Sequence, residues 1–171
     1  MTAASSPPPS SPAGEPACEA LDDAAATQAL GRRLAQALLP GCRSGHVPLL
    51  LLRGDLGAGK TCLVQGLASA LGIEEPVTSP TFALAQHYEG GSGALVHLDL
   101  YRLELPAAAD ELFAQEEEEA LALGALLAVE WPGRLSFVPE GAWRLELKLA
   151  DPSDPEAGRV AQLGGIGPSP A

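Results

Sequence analysis

Basic residues are scarce in this 171-residue chain: 10 Lys and Arg stand against 22 Asp and Glu, a formal net charge of −12 at pH 7 with His neutral. Nucleic-acid binding draws most of its affinity from Lys and Arg neutralising phosphates, so this balance argues against unassisted contact with DNA or RNA. Aromatics are scarce too, with two Trp, two Tyr and three Phe, and there is one Met. A composition 46% apolar is enough for a core, which must then be aliphatic, built from Leu, Val and Ala. No apolar run approaches the roughly 20 residues that cross a bilayer. No Lys or Arg precedes Arg32 and no apolar segment follows the start, so a signal peptide is not expected. Cys18, Cys42 and Cys62 are odd in number and far apart. They read as reduced thiols of a cytoplasmic protein, neither a disulfide framework nor a metal site.

Glycine and proline, at 19 and 16, are abundant and gather toward the two ends. Residues 1–18 are mostly Ser, Pro and Ala and cannot offset their ordering entropy by burial, which predicts a disordered leader. Residues 19–150 carry the periodic patterns of one folded domain. Residues 151–171 are again rich in Pro and Gly and are expected to form a loosely ordered tail.

Within the domain, Asp22 or Asp23 can cap a helix on which Ala26, Leu30, Leu34 and Leu38 recur every fourth residue, and Pro40-Gly41 should end it. Val47 to Leu52 is a short continuous apolar run, the pattern of a strand buried on both faces. Gly54-Asp55-Leu56-Gly57-Ala58-Gly59-Lys60-Thr61 follows, and then a helical stripe of Leu63, Leu67 and Leu71 closed by Gly72. Ala94 to Asp99 and Ala125 to Glu130 are two more apolar runs, each ending in a carboxylate. Both read as buried parallel strands with an acid at the end where open α/β sheets bind ligands. Between them Pro106 to Gly124 predicts a helix contacting the core through Leu112, Phe113 and Leu121, with Glu116 to Glu119 on a solvated face. Trp143 to Leu149 alternates strictly, as a half-exposed and antiparallel edge strand would.

Residues 54–61 match the full G-x-x-x-x-G-K-[ST] phosphate-loop pattern. Glycines let backbone N–H groups approach phosphate oxygens, and the following helix presents its positive end. Lys60 bridges the β- and γ-phosphates of ATP, and the Thr61 hydroxyl joins the shell of Mg²⁺. The nucleotide-binding stretch is therefore Asp55, Leu56, Gly57, Ala58, Gly59, Lys60, Thr61 and Cys62. Mg²⁺ also needs a carboxylate at the end of a neighbouring strand. Asp99 and Glu130 both qualify: one can hold the metal while the other orients water, and either can instead cap a helix or pair with Arg102 or Arg134. Thr78-Ser79-Pro80-Thr81 is rich in hydroxyls and pinned by proline, suited either to a γ-phosphate-sensing switch loop or to a simple turn. His97, inside a strand, reads as a core residue.

Four ordered motifs carry a resemblance: Gly-Asp-Leu-Gly-Ala-Gly-Lys-Thr at 54–61, Thr-Ser-Pro-Thr-Phe at 78–82, His-Leu-Asp-Leu-Tyr-Arg-Leu at 97–103 and Glu-Trp-Pro at 130–132. Together they resemble the bacterial TsaE (YjeE) ATPases, over about Thr27 to Leu149. The resemblance implies an α/β, P-loop NTPase-like three-layer fold with a mostly parallel central sheet and an antiparallel edge. It implies a cytoplasmic Mg²⁺-dependent ATPase that supports threonylcarbamoyladenosine modification of tRNA by binding the TsaB–TsaD complex and keeping it turning over. The tRNA is then met only through those partners, and neither DNA nor a membrane is a ligand. By position, Lys60, Asp99 and Glu130 are the catalytic residues, with Asp99 the Walker-B-like acid, and Thr61 and Glu130 are metal ligands. Ser79, Pro80 and Thr81 form a switch-like loop, and Trp131 packs beside the nucleotide. Cys62 stands where the family usually carries Thr or Ser. Two other readings compete. A small-molecule kinase would need an arginine-bearing lid, for which there is no basic cluster. A nucleotide-gated binding module would need no turnover.

Overall fold

The computed structural model describes residues 17–80 and 82–164. Its elements are β1 (Ala17–Leu21), α1 (Ala24–Arg43), β2 (Leu49–Arg53), α2 (Lys60–Ala70), β3 (Ala85–Glu89), β4 (Ala94–Asp99), α3 (Pro106–Leu123), β5 (Ala125–Glu130), β6 (Trp143–Asp151) and β7 (Asp154–Gly164), with a 3-10 turn at Pro132–Arg134. One seven-stranded sheet has the order β1-β7-β6-β2-β5-β4-β3. The central pairs β6/β2, β2/β5 and β5/β4 are parallel. Antiparallel pairs flank them on both sides: β3 on β4, and β7 then β1 beyond β6.

The continuous apolar runs are explained by what covers the sheet. Side chains alternate between faces along a strand, and Leu50, Leu52, Leu95, Leu126 and Ala128 pack with Leu34 and Leu38 of α1 and Leu63 and Leu67 of α2. Leu49, Leu51, Val96, Leu98, Leu127 and Val129 pack on the other face with Ala109 and Phe113 of α3. The runs 49–52, 94–96 and 125–129 are thus apolar throughout because they are buried on both faces, and the architecture is the three-layer α/β arrangement expected. Among the described residues no helix is long and apolar enough to cross a membrane. The three cysteines form no disulfide.

Several local expectations are corrected. Helix α1 is capped by Asp23, whose Oδ1 accepts from the Ala26 N–H at 2.8 Å, but it runs through Pro40 to Arg43. Proline removes one amide in what is already the last turn, and the Ser44 hydroxyl lies 3.2 and 3.0 Å from the Pro40 and Gly41 carbonyls, supporting that end. Strand β6 is interior, parallel to β2 and antiparallel to β7, so it is not an edge. Residues 154–164, read as a loose tail, are an 11-residue strand joined to β6 by a tight turn. The leader expected over 1–18 gives way to β1 at Ala17; residues 1–16 and 165–171 lie outside the described residues. On α3, Leu121 is 54% exposed, whereas Glu116 is buried and its carboxylate meets His87 Nε2 at 2.5 Å. Ala109, Phe113, Glu116 and Ala120 form the inward stripe of that helix at spacings of four, three and four.

Helices α1 and α2 touch backbone to backbone. A Cβ on Gly31 would collide with the Leu63 carbonyl oxygen, and one on Gly66 with the Gln28 carbonyl oxygen. Neither neighbour is a movable side chain. Gly66→Ala should therefore lower the unfolding free energy by about 2 kcal/mol, the scale of forced overpacking. Urea denaturation checks this; an unchanged midpoint would show that the crossing opens without cost.

Candidate functional site

The order strand, glycine loop, helix places residues 54–61 at the carboxyl end of β2, and the loop geometry follows from its glycines. Gly59 has φ 102°, left-handed backbone that strains any side-chain-bearing residue, and it is the residue from which α2 starts. No side chain caps α2, in contrast to Asp23 on α1. The first N–H groups of α2 are left for an external acceptor, the arrangement that binds anions.

A cavity of about 510 Å³ opens over this loop. Asp55 to Cys62, every residue of the expected nucleotide-binding stretch, line it, together with Ser79, Leu84, Asp99, Tyr101, Arg102, Glu130 and Trp131. The two carboxylates meet there because of strand register: Asp99 is directly opposite Glu130 across the parallel β4/β5 pair. Their partners differ. Asp99 Oδ1 accepts from the Tyr101 N–H at 3.0 Å and Oδ2 from the Ser79 hydroxyl at 3.2 Å, tying the proline-pinned loop to the strand end. Glu130 is 3% exposed, and its Oε1 lies 3.0 Å from Nε2 of the fully buried His97. Arg102 and Arg134 form an ion pair with neither acid. Pro80 is buried beneath the loop with its carbonyl accepting from Leu84 N–H at 3.2 Å, while Thr81 lies outside the described residues.

Lys60 is 6% exposed. Its ammonium donates to the Gly54 and Asp55 carbonyls and sits 4.5 Å from the Trp131 ring centroid. Burial pushes the Lys60 pKa down, and the charges of Glu130, Asp99 and Asp55 oppose that shift. Trp131 packs on Tyr101 with ring centroids 4.8 Å apart. Trp131 and Leu84, at φ 57° and 63°, are the two described non-glycine residues with left-handed backbone, and both line this cavity. Burial pushes the Cys62 thiol pKa up against the opposing charge of Arg159, and Sγ donates to the Ala24 carbonyl at 3.4 Å.

The donor set suits a small hard cation beside phosphates. Thr61, Asp99 and Glu130 offer only oxygen, and no group of three His, Cys, Asp or Glu that could hold a metal exists among the described residues. Mg²⁺ fits that description, because it takes one or two carboxylates and completes its shell with water and phosphate oxygens.

Two residues escaped sequence reasoning. His97 was legible as core, but its bond to Glu130 depends on the β4/β5 register. Arg159, in the supposed tail, donates through Nε to the Ala58 carbonyl at 3.1 Å and through Nη2 to the Gly57 carbonyl at 3.0 Å. No local pattern around Arg159 announces this contact.

Residues 21–157 match the family model described as "Threonylcarbamoyl adenosine biosynthesis protein TsaE". Relatives named tRNA threonylcarbamoyladenosine biosynthesis protein TsaE include one from Synechocystis sp., 45% identical over 70% of this chain and 72% of its own length. One from Nostoc sp. is 39% identical over 84% and 82% of the two chains, and one from Streptomyces coelicolor 38% over 81% and 89%. The crystal structure of Bacillus subtilis YdiB superposes with a TM-score of 0.58 at 25% identity, covering 87% of this chain and 85% of that one.

The buried His97–Glu130 contact gives a stability prediction. His97→Leu should cost about 2 kcal/mol by leaving a buried carboxylate without its donor, and His97→Gln, which keeps a donor, should cost less. Chemical denaturation of the two variants decides; equal losses would mean that packing alone matters there.

Proposed function

The chain belongs to the TsaE family, and from that membership we propose that it is a Mg²⁺-dependent ATPase that supports threonylcarbamoyladenosine modification of tRNA in the cytoplasm, binding the TsaB–TsaD complex and driving its turnover. The observation that carries the reading is the meeting, in one cavity, of the phosphate loop, Lys60 and the register-paired Asp99 and Glu130. The net charge of −12 supports a role in which tRNA is reached only through partners, with no DNA or membrane ligand.

On this reading each residue has a task. The Lys60 ammonium exchanges the Gly54 and Asp55 carbonyls for the β- and γ-phosphates, so the free loop holds the lysine close to where phosphate arrives. The backbone N–H groups of Gly57, Gly59, Lys60 and Thr61 receive the remaining phosphate oxygens, while the Ala58 N–H closes the loop on the Asp55 carbonyl at 3.0 Å. Thr61 and Glu130 would hold Mg²⁺, with Asp99 beside them. The metal, when bound, neutralises charge on the phosphates and on the leaving ADP. His97 fixes one oxygen of Glu130, a residue that lines the cavity. Ser79 couples its loop to Asp99, so that a shift of either is felt by the other. Trp131 packs beside the nucleotide. Water attacks the γ-phosphorus, the bond to the β–γ bridging oxygen breaks, and ADP and phosphate leave.

The test is Mg²⁺-dependent ATP hydrolysis by the purified chain, alone and with TsaB and TsaD. Marked stimulation by the partners is expected; hydrolysis that ignores them, with nucleotide still bound, would favour the kinase or the nucleotide-gated module. Lys60→Ala should weaken ATP binding by about a hundredfold or more, since the phosphates lose their main point charge. Asp99→Ala and Glu130→Ala should each lower the partner-stimulated rate by about a hundredfold while changing ATP affinity far less, because metal and water act mainly in the transition state. Full turnover in either variant would return that carboxylate to a structural role.

A further inference from the structure

We propose that Arg159 of β7 is a positioning residue of the phosphate site, holding and polarising the loop from behind. The inference rests on the reading that this loop receives nucleotide phosphates. Arg159 is absent from the cavity lining. It works on the loop's outer side: Nε and Nη2 donate to the successive carbonyls of Ala58 and Gly57, and Nη1 to those of Pro155 at 2.6 Å and Gly158 at 3.0 Å. One planar guanidinium therefore fastens two consecutive loop peptides to the β6–β7 hairpin. Lysine, with a compact ammonium, cannot reproduce that fork.

Two effects reach the ligand side. The Gly57 and Ala58 carbonyls share peptide units with the N–H groups of Ala58 and Gly59; the Ala58 N–H already donates to the Asp55 carbonyl at 3.0 Å, so the effect on a ligand runs through the Ala58–Gly59 unit. A cation on the oxygen draws electron density outward and makes the N–H on the same unit a stronger donor. The charge itself also counts. Asp55, Asp99 and Glu130 surround Lys60, and an arriving polyphosphate meets their repulsion. Arg159 sets a further cation behind the loop, close enough that its charge opposes the upward shift of the Cys62 thiol at the start of α2. The residue lies just beyond the stretch 21–157 that the family model covers, in β7, which pairs with β6 and β1.

The experiment measures the affinity of the full chain for Mg-ATP, Mg-ADP and inorganic tripolyphosphate in wild type, Arg159→Ala, Arg159→Lys and Lys60→Ala, with unliganded thermal unfolding alongside. Arg159→Ala is expected to weaken all three by about tenfold, the scale of charged hydrogen bonds lost. Arg159→Lys should recover part of that, retaining the charge without the fork. Wild-type affinity for tripolyphosphate in Arg159→Ala, even with a lowered unfolding temperature, would overturn the proposal and leave Arg159 a strap for β7. If Arg159→Ala does not fold, Arg159→Lys decides alone: weaker tripolyphosphate binding supports the proposal and unchanged binding overturns it. A wild-type chain that binds none of the three ligands, no better than Lys60→Ala, would overturn the phosphate-site reading itself and this inference with it.

Discussion

The pairing of β5 between β2 and β4 fixes everything at the site. Its register sets Leu52 opposite Glu130 on one side and Asp99 opposite Glu130 on the other. Three strands therefore end at one level, and the loop leaving β2 emerges beside two carboxylates. A slip of one residue would turn each strand over, exchanging the faces that meet α1 and α2 with those that meet α3. Because every position from Leu49 to Leu52 is buried, hydrophobicity alone does not forbid that slip. The discrimination comes from side-chain shape in two separate packed layers, and from His97, which meets Glu130 only in the observed register.

The electrostatics of the cavity follow from that arrangement. A lysine and three carboxylates occupy a small, half-enclosed volume. Burial lowers the lysine's pKa, and those same carboxylates oppose the shift. Carboxylate repulsion is relieved through hydrogen bonds in preference to arginine pairing, with Ser79 and a backbone N–H on Asp99 and His97 on Glu130. The arginines near the site are engaged elsewhere, Arg102 over the Phe82 ring and Arg134 near Tyr101.

Much of this was legible from the sequence where the signal is local. The apolar runs ending at Asp99 and Glu130 coincide with β4 and β5 residue for residue, and the glycine pattern locates the loop and the start of α2. The failures are contacts made between distant segments. Strand β7 buries only Gly158, Ala161 and Leu163, and its Pro155 and Gly158 read as loop punctuation, so only pairing with β6 and β1 makes it a strand. Glu116 reads as one acid in a run of four, and its burial depends on His87 from β3, 29 residues earlier. Arg159 meets Gly57 across 102 residues. Pro40 misled in the other direction, because a proline in a final helical turn forfeits only one bond.

The glycine-to-glycine crossing of α1 and α2 has a bearing on heat. Most helix contacts are cushioned by side chains whose rotamers loosen as temperature rises, letting the helices drift. At Gly31 and Gly66 the touching atoms are peptide groups, which have no rotamers to populate. The phosphate loop is continuous with α2, so its distance from the rest of the fold is set at a joint with almost no thermal slack.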